Sequence, residues 1–306
     1  QAEDGIRDFC LSRGLGDVYK RQVYKIIRLN KKNLEGLDLV FFVAGSIVSK
    51  KFATIASNNG SYVIDNSSAF RLNKNIPLII PEVNSDALMS SKSRIIANPN
   101  CTTIISLMGI KPLLNLQKIK RVVATSFQSV SGAGNNGMNE LLENTKRFFN
   151  NKKSLNKVFD KNITFNVIPK IGSFNLNGYT EEEMKFNNES RKILNDKNIL
   201  LSATTVRVPV LRSHSISLNI EFKGNVEINK IKKEIIKFPG IDLIDNPKKN
   251  QFPTPIDSSN KDNCIIGRIR KDYSKGNCIS AWIVGDQIRK GAALNAIQIA
   301  ELLVRK

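Results

Sequence analysis

The chain has few cysteines, a single histidine and no long apolar run, and each scarcity removes a class of protein. Cys10, Cys101, Cys264 and Cys278 show neither Cys-x-x-Cys spacing nor the density of a disulfide scaffold. No metal site is expected, and a reducing cytoplasm is the natural setting. The longest apolar stretch, Leu37 to Val48, is broken by Asp38 and Gly45. It falls short of the roughly 20 residues a membrane helix needs. No basic segment followed by an apolar stretch and a small-residue cleavage site opens the sequence, so nothing argues for secretion. What remains is ordinary for a soluble globular protein: 306 residues, 41% hydrophobic and 24% charged, enough for two domains.

Acidic residues are also scarce, leaving a formal charge of +20. Such a surplus can attract nucleic acid, phosphate or carboxylates. Here the lysines are scattered (Lys31-Lys32, Lys50-Lys51, Lys152-Lys153), without interleaved aromatics or a nucleic-acid module. A solvated basic surface accounts for them, and neither a nucleic-acid nor a membrane partner is expected.

The first 22 residues do not fit the rest. They balance four basic against four acidic residues, lack apolar periodicity, and hold only a lone Gly14-Leu15-Gly16 with no strand before it. The stretch from Ala2 to Gln22 resembles a translated sequencing adaptor and is expected to be foreign to the fold. From Leu37 the pattern becomes regular. Leu37 to Ala44 reads as a strand buried on both faces, and Ser49 to Asn58 reads as a helix. Tyr62 to Ile64, the run between Pro77 and Pro81, and Arg94 to Ala97 continue the apolar segments, and Thr102 to Leu114 reads as helix. Alternating strands and helices imply a doubly wound sheet. Further on, Arg121 to Gln128, Ser215 to Phe222 and Cys278 to Val284 read as strands, and Asn139 to Phe149 and Ala292 to Val304 as helices. Asn151 to Asn162 reads as a surface excursion. Thr180 with Glu183 three residues on signals a capped helix start. This second region is α+β, with a mixed or largely antiparallel sheet.

Cys101 follows Asn98-Pro99-Asn100 at a strand-to-helix junction, where free backbone N–H groups favour an anion and lower a thiol pKa. Position alone leaves a small buried cysteine equally open. His214, in Arg212-Ser213-His214-Ser215, is the only imidazole able to move protons near neutral pH, and it heads a strand from which it could project into a cleft. Arg207 could grip a carboxylate with two parallel hydrogen bonds.

Six segments resemble the aspartate-semialdehyde dehydrogenase family: Asp65 to Arg71, Asn98 to Thr103, Gln128 to Gly134, Glu182 to Lys185, Arg207 to His214, and Gly291 to Ala296. They occur in family order from about Asp38 to the C-terminus. The resemblance implies an α/β chain with an incomplete Rossmann-like NADP-binding domain (residues 23–101 and 290–306). A catalytic and dimerisation domain with a mixed sheet would span residues 102–289, giving a homodimer. It implies Cys101 as nucleophile, His214 as acid/base and Gln128 as the group positioning the reactants. Arg207 would bind the substrate α-carboxylate, Glu182 the α-amino group, and Lys185 and Arg71 phosphate, with Asn100 also facing the substrate. Ser131, Gly132, Gly134, Asn295, Ala44 and Gly45 would border the cofactor. The implied reaction is reversible, NADP-dependent reductive dephosphorylation of L-4-aspartyl phosphate through a Cys thioester, a step of lysine, threonine and methionine biosynthesis.

The family opens with a strand, a Gly-rich phosphate loop and an NADP-selecting loop, and this sequence shows none of them. The expectation is that the polypeptide as given is truncated, binds NADP more weakly than micromolar and exposes Leu39 to Val43 as a sheet edge. Competing readings are N-acetyl-glutamyl-phosphate reductase, a glyceraldehyde-phosphate-type dehydrogenase, an inactive cofactor-deficient fragment and a basic nucleic-acid binder. The Gln128 segment and the Glu182/Lys185 pair favour aspartate semialdehyde.

Overall fold

The computed structural model describes residues 16–19 and 22–305. Cys10, Gly14-Leu15 and most of the segment read as foreign lie outside the described residues. β1 (Gly16–Tyr19) and β2 (Gln22–Lys25) pair antiparallel with each other. Then β3 (Leu39–Phe42), α1 (Ser46–Asn58), β4 (Tyr62–Asp65), α2 (Pro81–Met89) and β5 (Ile95–Ala97) build a parallel sheet in the order β3-β4-β5. The register puts Phe42, Asp65 and Ala97 on one edge, so the loops after all three strands leave from the same side.

One expectation is corrected here. Leu37 to Ala44 is not buried on both faces: among the described residues β3 pairs with β4 alone, and Phe41 and Val43 are 42% and 53% exposed. The run between Pro77 and Pro81 contributes only a single bridge, Leu78 to Ala97. Pro81, preset for the first helical position, turns the chain into α2, and the Asn84 side chain ties off Leu78 O and Ile80 N–H.

α3 (Cys101–Ile110) leaves β5 and is buried from Thr102 onward. Its all-round apolar sequence suits a central helix. Gly109 lets it settle on the second sheet, where a Cβ would lie 3.0 Å from Ile283 and 3.4 Å from Ile266. That sheet is built from β6 (Ile119–Gln128), β7 (Leu200–Arg207), β8 (His214–Phe222), β9 (Ile241–Leu243), β10 (Cys264–Lys271) and β11 (Cys278–Gly285). Its order is β7-β6-β8-β11-β10-β9; β6/β7 and β9/β10 are parallel and the other pairs antiparallel, a mixed sheet as expected.

Between β6 and β7 lie α4 (Gly134–Phe149) and α5 (Glu181–Ile193), the latter opened by the capping box of Thr180 and Glu183. α4 starts five residues before the expected Asn139, because a 3-10 turn over Val130–Ala133 feeds directly into it. α6 (Ile228–Lys237) packs its Ile231/Ile235 face inward. After β11, a π turn over Arg289–Ala293 leads into α7 (Leu294–Val304). α7 returns to the first sheet, with Ala296 and Ile299 against Ile64 and Ile96.

Candidate active site

β5 delivers the chain to Asn98-Pro99-Asn100, and Cys101 becomes the first residue of α3. Asn100 is the cap: its Oδ1 accepts from the N–H of Thr102 (3.0 Å) and Thr103 (3.4 Å), and its amide donates to Glu182 Oε1 at 2.9 Å. The Asn100 N–H donates to Glu189 Oε2 at 2.7 Å. Gly291 presses on the nucleophile turn so closely that a Cβ there would sit 3.0 Å from Cys101 Cβ.

The free thiol does not follow the expectation of a lowered pKa. Burial first, then the Glu182 carboxylate, push it up to about 11, against the pull of Arg71, Arg207 and Thr102. In the turn itself Asn100 Oδ1 engages the N–H groups of Thr102 and Thr103, and Glu189 engages that of Asn100.

Gln128, the last residue of β6, donates to Thr102 Oγ1 (2.8 Å) and to Glu182 Oε1 (3.3 Å). Register sets it beside Arg207 at the end of β7. Burial alone would raise the Glu182 carboxyl, but Lys185 at 3.1 Å with Asn100 and Gln128 outweighs it and holds the group below its usual range. Arg207 donates from Nη1 to Ser129 O at 2.6 Å and lies over the Phe159 ring. It lines a cavity of about 300 Å³ with Lys170, Ile168 and Ser173. Arg71 and Lys185 meet on a second cavity of about 720 Å³ with Ser68, Asn188 and Glu189. Arg71 is held from three sides, by Asn98 O (2.9 Å), Asn66 O (2.8 Å) and Glu189 (3.1 Å).

His214 is fully buried, which corrects the expectation of a side chain projecting into an open cleft. Its Nδ1 accepts from the Ser129 N–H at 3.2 Å and lies 3.1 Å from Ser129 Oγ, while Nε2 has no partner. Burial, then Arg207, keeps its pKa well below 6.5. Gly132 closes the gap between the two: a Cβ there would lie 2.8 Å from Arg207 Nη1 and 3.3 Å from His214 Nε2. Consecutive residues thus tie the halves together, Gln128 to the helix of Cys101 and Ser129 to His214.

The remaining candidates are more dispersed. Ser131 is buried, its hydroxyl engaged by Ser129 and Gln287. Gly134, at φ 75°, begins α4 with open space around it. Asn295 is buried, bonding Asn98 Oδ1 (2.6 Å), Ile79 O (3.0 Å) and Lys290 (2.9 Å), so it braces the nucleophile turn. Ala44 and Gly45 follow β3 on the same sheet edge from which Asn98 follows β5. Gly45, at φ 87°, starts α1 with no side-chain cap. Four further residues had not been singled out for a role: Glu189, Ser129, Gln287 and the buried Lys290. Two of them left a trace in sequence: Ser129 lies inside the Gln128 to Gly134 segment, and Glu189 stands seven residues after Glu182 on one helical face.

The chain is similar to known proteins along most of its length. The model "semialdehyde dehydrogenase, NAD binding domain" matches residues 11–91, and "semialdehyde dehydrogenase, dimerisation domain" matches residues 110–290. The aspartate-semialdehyde dehydrogenase of Prochlorococcus marinus is 41% identical over 303 residues, covering 98% of this chain and 88% of that protein. That of Rickettsia bellii is 45% identical over 289 residues, covering 94% and 85%. The crystal structure of aspartate semialdehyde dehydrogenase II from Vibrio cholerae matches with a TM-score of 0.90 at 39% identity, covering 96% of this chain and 88% of that one.

Proposed function

The chain belongs to the aspartate-semialdehyde dehydrogenase family, and from that premise we propose that it interconverts L-4-aspartyl phosphate and L-aspartate 4-semialdehyde through a thioester on Cys101, with NADP as partner. The observation that carries the reading is one polar cluster holding Cys101, Gln128, Glu182 and Arg207 beside His214. Arg207, buried and cationic at the wall of its cavity, suits a carboxylate fork. Glu182, kept ionised, suits an ammonium. Arg71 uses three sides of its guanidinium on the protein and keeps N–H groups over for phosphate, with Lys185 on the same cavity. Gln128 keeps Thr102 and Glu182 in register around the sulfur. Covalent capture on Cys101 divides a difficult acyl transfer into two easier steps. His214, at the head of β8, serves as acid/base.

The cofactor's fit rests on the parallel sheet's edge. Gly45 opens a thirteen-residue helix with uncapped N–H groups and space for a close-lying phosphate, and Ser131 to Gly134 and Asn295 would border the nicotinamide. When bound, that group supplies or accepts the hydride. The match to a dimerisation domain supports a homodimer. Among the described residues no helix is long and apolar enough to cross a membrane, and free cysteines suit a cytoplasmic enzyme.

The test is phosphate-dependent oxidation by the purified chain of aspartate semialdehyde, N-acetylglutamate semialdehyde and glyceraldehyde 3-phosphate, with NADP or NAD. The expected outcome is a low turnover, reached at NADP concentrations above micromolar, that prefers aspartate semialdehyde and NADP and is abolished by Cys101→Ser. Equal rates for the three aldehydes, or full activity of the Cys101→Ser variant, would overturn the proposal.

A further inference from the structure

Behind His214 runs a buried chain of three polar side chains, Gln287, Ser131 and Ser129, whose contacts with one another the proposed chemistry does not use. Gln287, 4% exposed, follows β11. Its Oε1 accepts from the Ser213 peptide N–H at 2.9 Å. A peptide N–H can only donate, so this contact fixes the amide's orientation and turns its NH₂ toward Ser131 Oγ. The amide nitrogen also can only donate. Ser131 Oγ therefore accepts from Gln287 and has its own proton free for Ser129 Oγ, 3.1 Å away. Ser129 Oγ, accepting that proton, then has its own to give to His214 Nδ1, 3.1 Å away. The Ser129 peptide N–H points at the same nitrogen from 3.2 Å. Two donors converge on Nδ1, so Nδ1 carries the lone pair.

From this geometry we propose that the resting imidazole is neutral with its one proton on Nε2, held there by Gln287, Ser131 and Ser129 as positioning residues. The proposal deepens, and rests on, the reading of His214 as the acid/base. Nε2 has no partner in the protein and sits against Gly132 and Arg207. An N–H there meets a substrate oxygen as a hydrogen-bond donor, so His214 first acts as a donor to the carbonyl oxygen or its oxyanion. An imidazolium would need a proton on Nδ1 as well, facing the Ser129 N–H. The relay therefore opposes the charged form in the same sense as burial and Arg207 do.

The chain's single histidine makes the test direct. Uniformly ¹⁵N-labelled protein, prepared without a polyhistidine tag, gives one set of imidazole signals in a long-range ¹H–¹⁵N spectrum. At pH 7 the expected result is a protonated Nε2 and a bare, hydrogen-bonded Nδ1. An Nδ1–H tautomer, or an imidazolium at that pH, would overturn the assignment.

Gln287→Leu removes the start of the relay without adding charge. The expected effect is a population of the Nδ1–H tautomer and a drop in kcat of about tenfold, with KM nearly unchanged. This is a small part of the 10²–10⁴ that acid–base groups supply. A wild-type spectrum and kcat in Gln287→Leu would sink the relay. The acid/base reading fails separately, if His214→Ala keeps its turnover while the wild-type spectrum still shows Nε2–H.

Discussion

Cys101 combines a nucleophile's position with a spectator's resting state. The first turn of a helix ordinarily stabilises a thiolate, yet here the cap side chain and Glu189 occupy the N–H groups, and burial with Glu182 raises the thiol to about 11. In the free protein the rate of Cys101 alkylation by iodoacetamide, followed by peptide mass spectrometry to separate it from the other cysteines, is expected to climb about tenfold per pH unit from 7 to 10. A plateau below pH 8.5 would contradict this account. The same tightness gives a prediction for Gly132. Its φ is ordinary, so Gly132→Ala costs little backbone strain, but the new methyl meets Arg207 Nη1 at 2.8 Å and the His214 ring from 3.1 Å. Displacing two reacting groups by a fraction of an ångström costs on the order of 10²-fold in kcat/KM. The thermal midpoint is expected to stay near wild type.

Among the elements, β10 illustrates what pattern reading misses. Its sequence, Cys264-Ile-Ile-Gly-Arg-Ile-Arg-Lys271, breaks alternation because a bulge between Gly267 and Arg270 shifts the register against β11. Asp245 fastens the bulge by accepting the N–H groups of Arg268 and Ile269. Gly267 is required because the backbone of Ile244 passes against it: a Cβ would stand 2.1 Å from Ile244 O. Gly267→Ala is expected to destabilise the fold by about 2–3 kcal/mol, read as a lower urea midpoint at unchanged m. β7 escaped notice for a different reason. Its inward residues include Ala203, Thr205 and Arg207, too polar to register as a buried stripe. The capping box at Thr180, the apolar β4 and β5 and the amphipathic β8 were legible, since each writes its environment into local spacing. The same division runs through the site. Cys101, Gln128, Glu182, Arg207 and His214 stand in recognisable segments, whereas Glu189, Gln287 and Lys290 take on meaning only once burial pairs them. Lys290 in particular contacts Glu82, Asn295 and Gln298 across some 200 residues of chain on one side and a single helix on the other.

Across the whole molecule, α5 joins the second sheet to the loop that follows β4. Glu182, Lys185, Glu189 and Lys192 form a stripe of alternating charge at helical spacing on one side of it. Glu182 reaches the nucleophile turn, and Glu189 reaches that turn and Arg71 together. Lys192 closes the series by donating to Arg71 O (2.8 Å), Asn73 O (2.7 Å) and Ile76 O (2.7 Å). Burial lowers the pKa of this ammonium and the Glu189 carboxylate opposes the shift. The loop carrying Arg71 is thus fixed to the catalytic half by Lys192 and by the Arg71–Glu189 pair, while Arg207 is anchored independently through β7 and Ser129 O. Lys192→Met keeps the stem and removes the three charge-assisted bonds, a local loss of about 2 kcal/mol once water replaces part of them. By hydrogen exchange, amides of residues 71–76 are expected to open ten- to thirtyfold more readily, with β6 and β7 unchanged. In turnover, the KM for phosphate rises severalfold while that for the semialdehyde holds, because only the Arg71 side of the site loosens. Equal shifts in both KM values, or unaltered exchange in residues 71–76, would show that α5 does not hold the two halves in register.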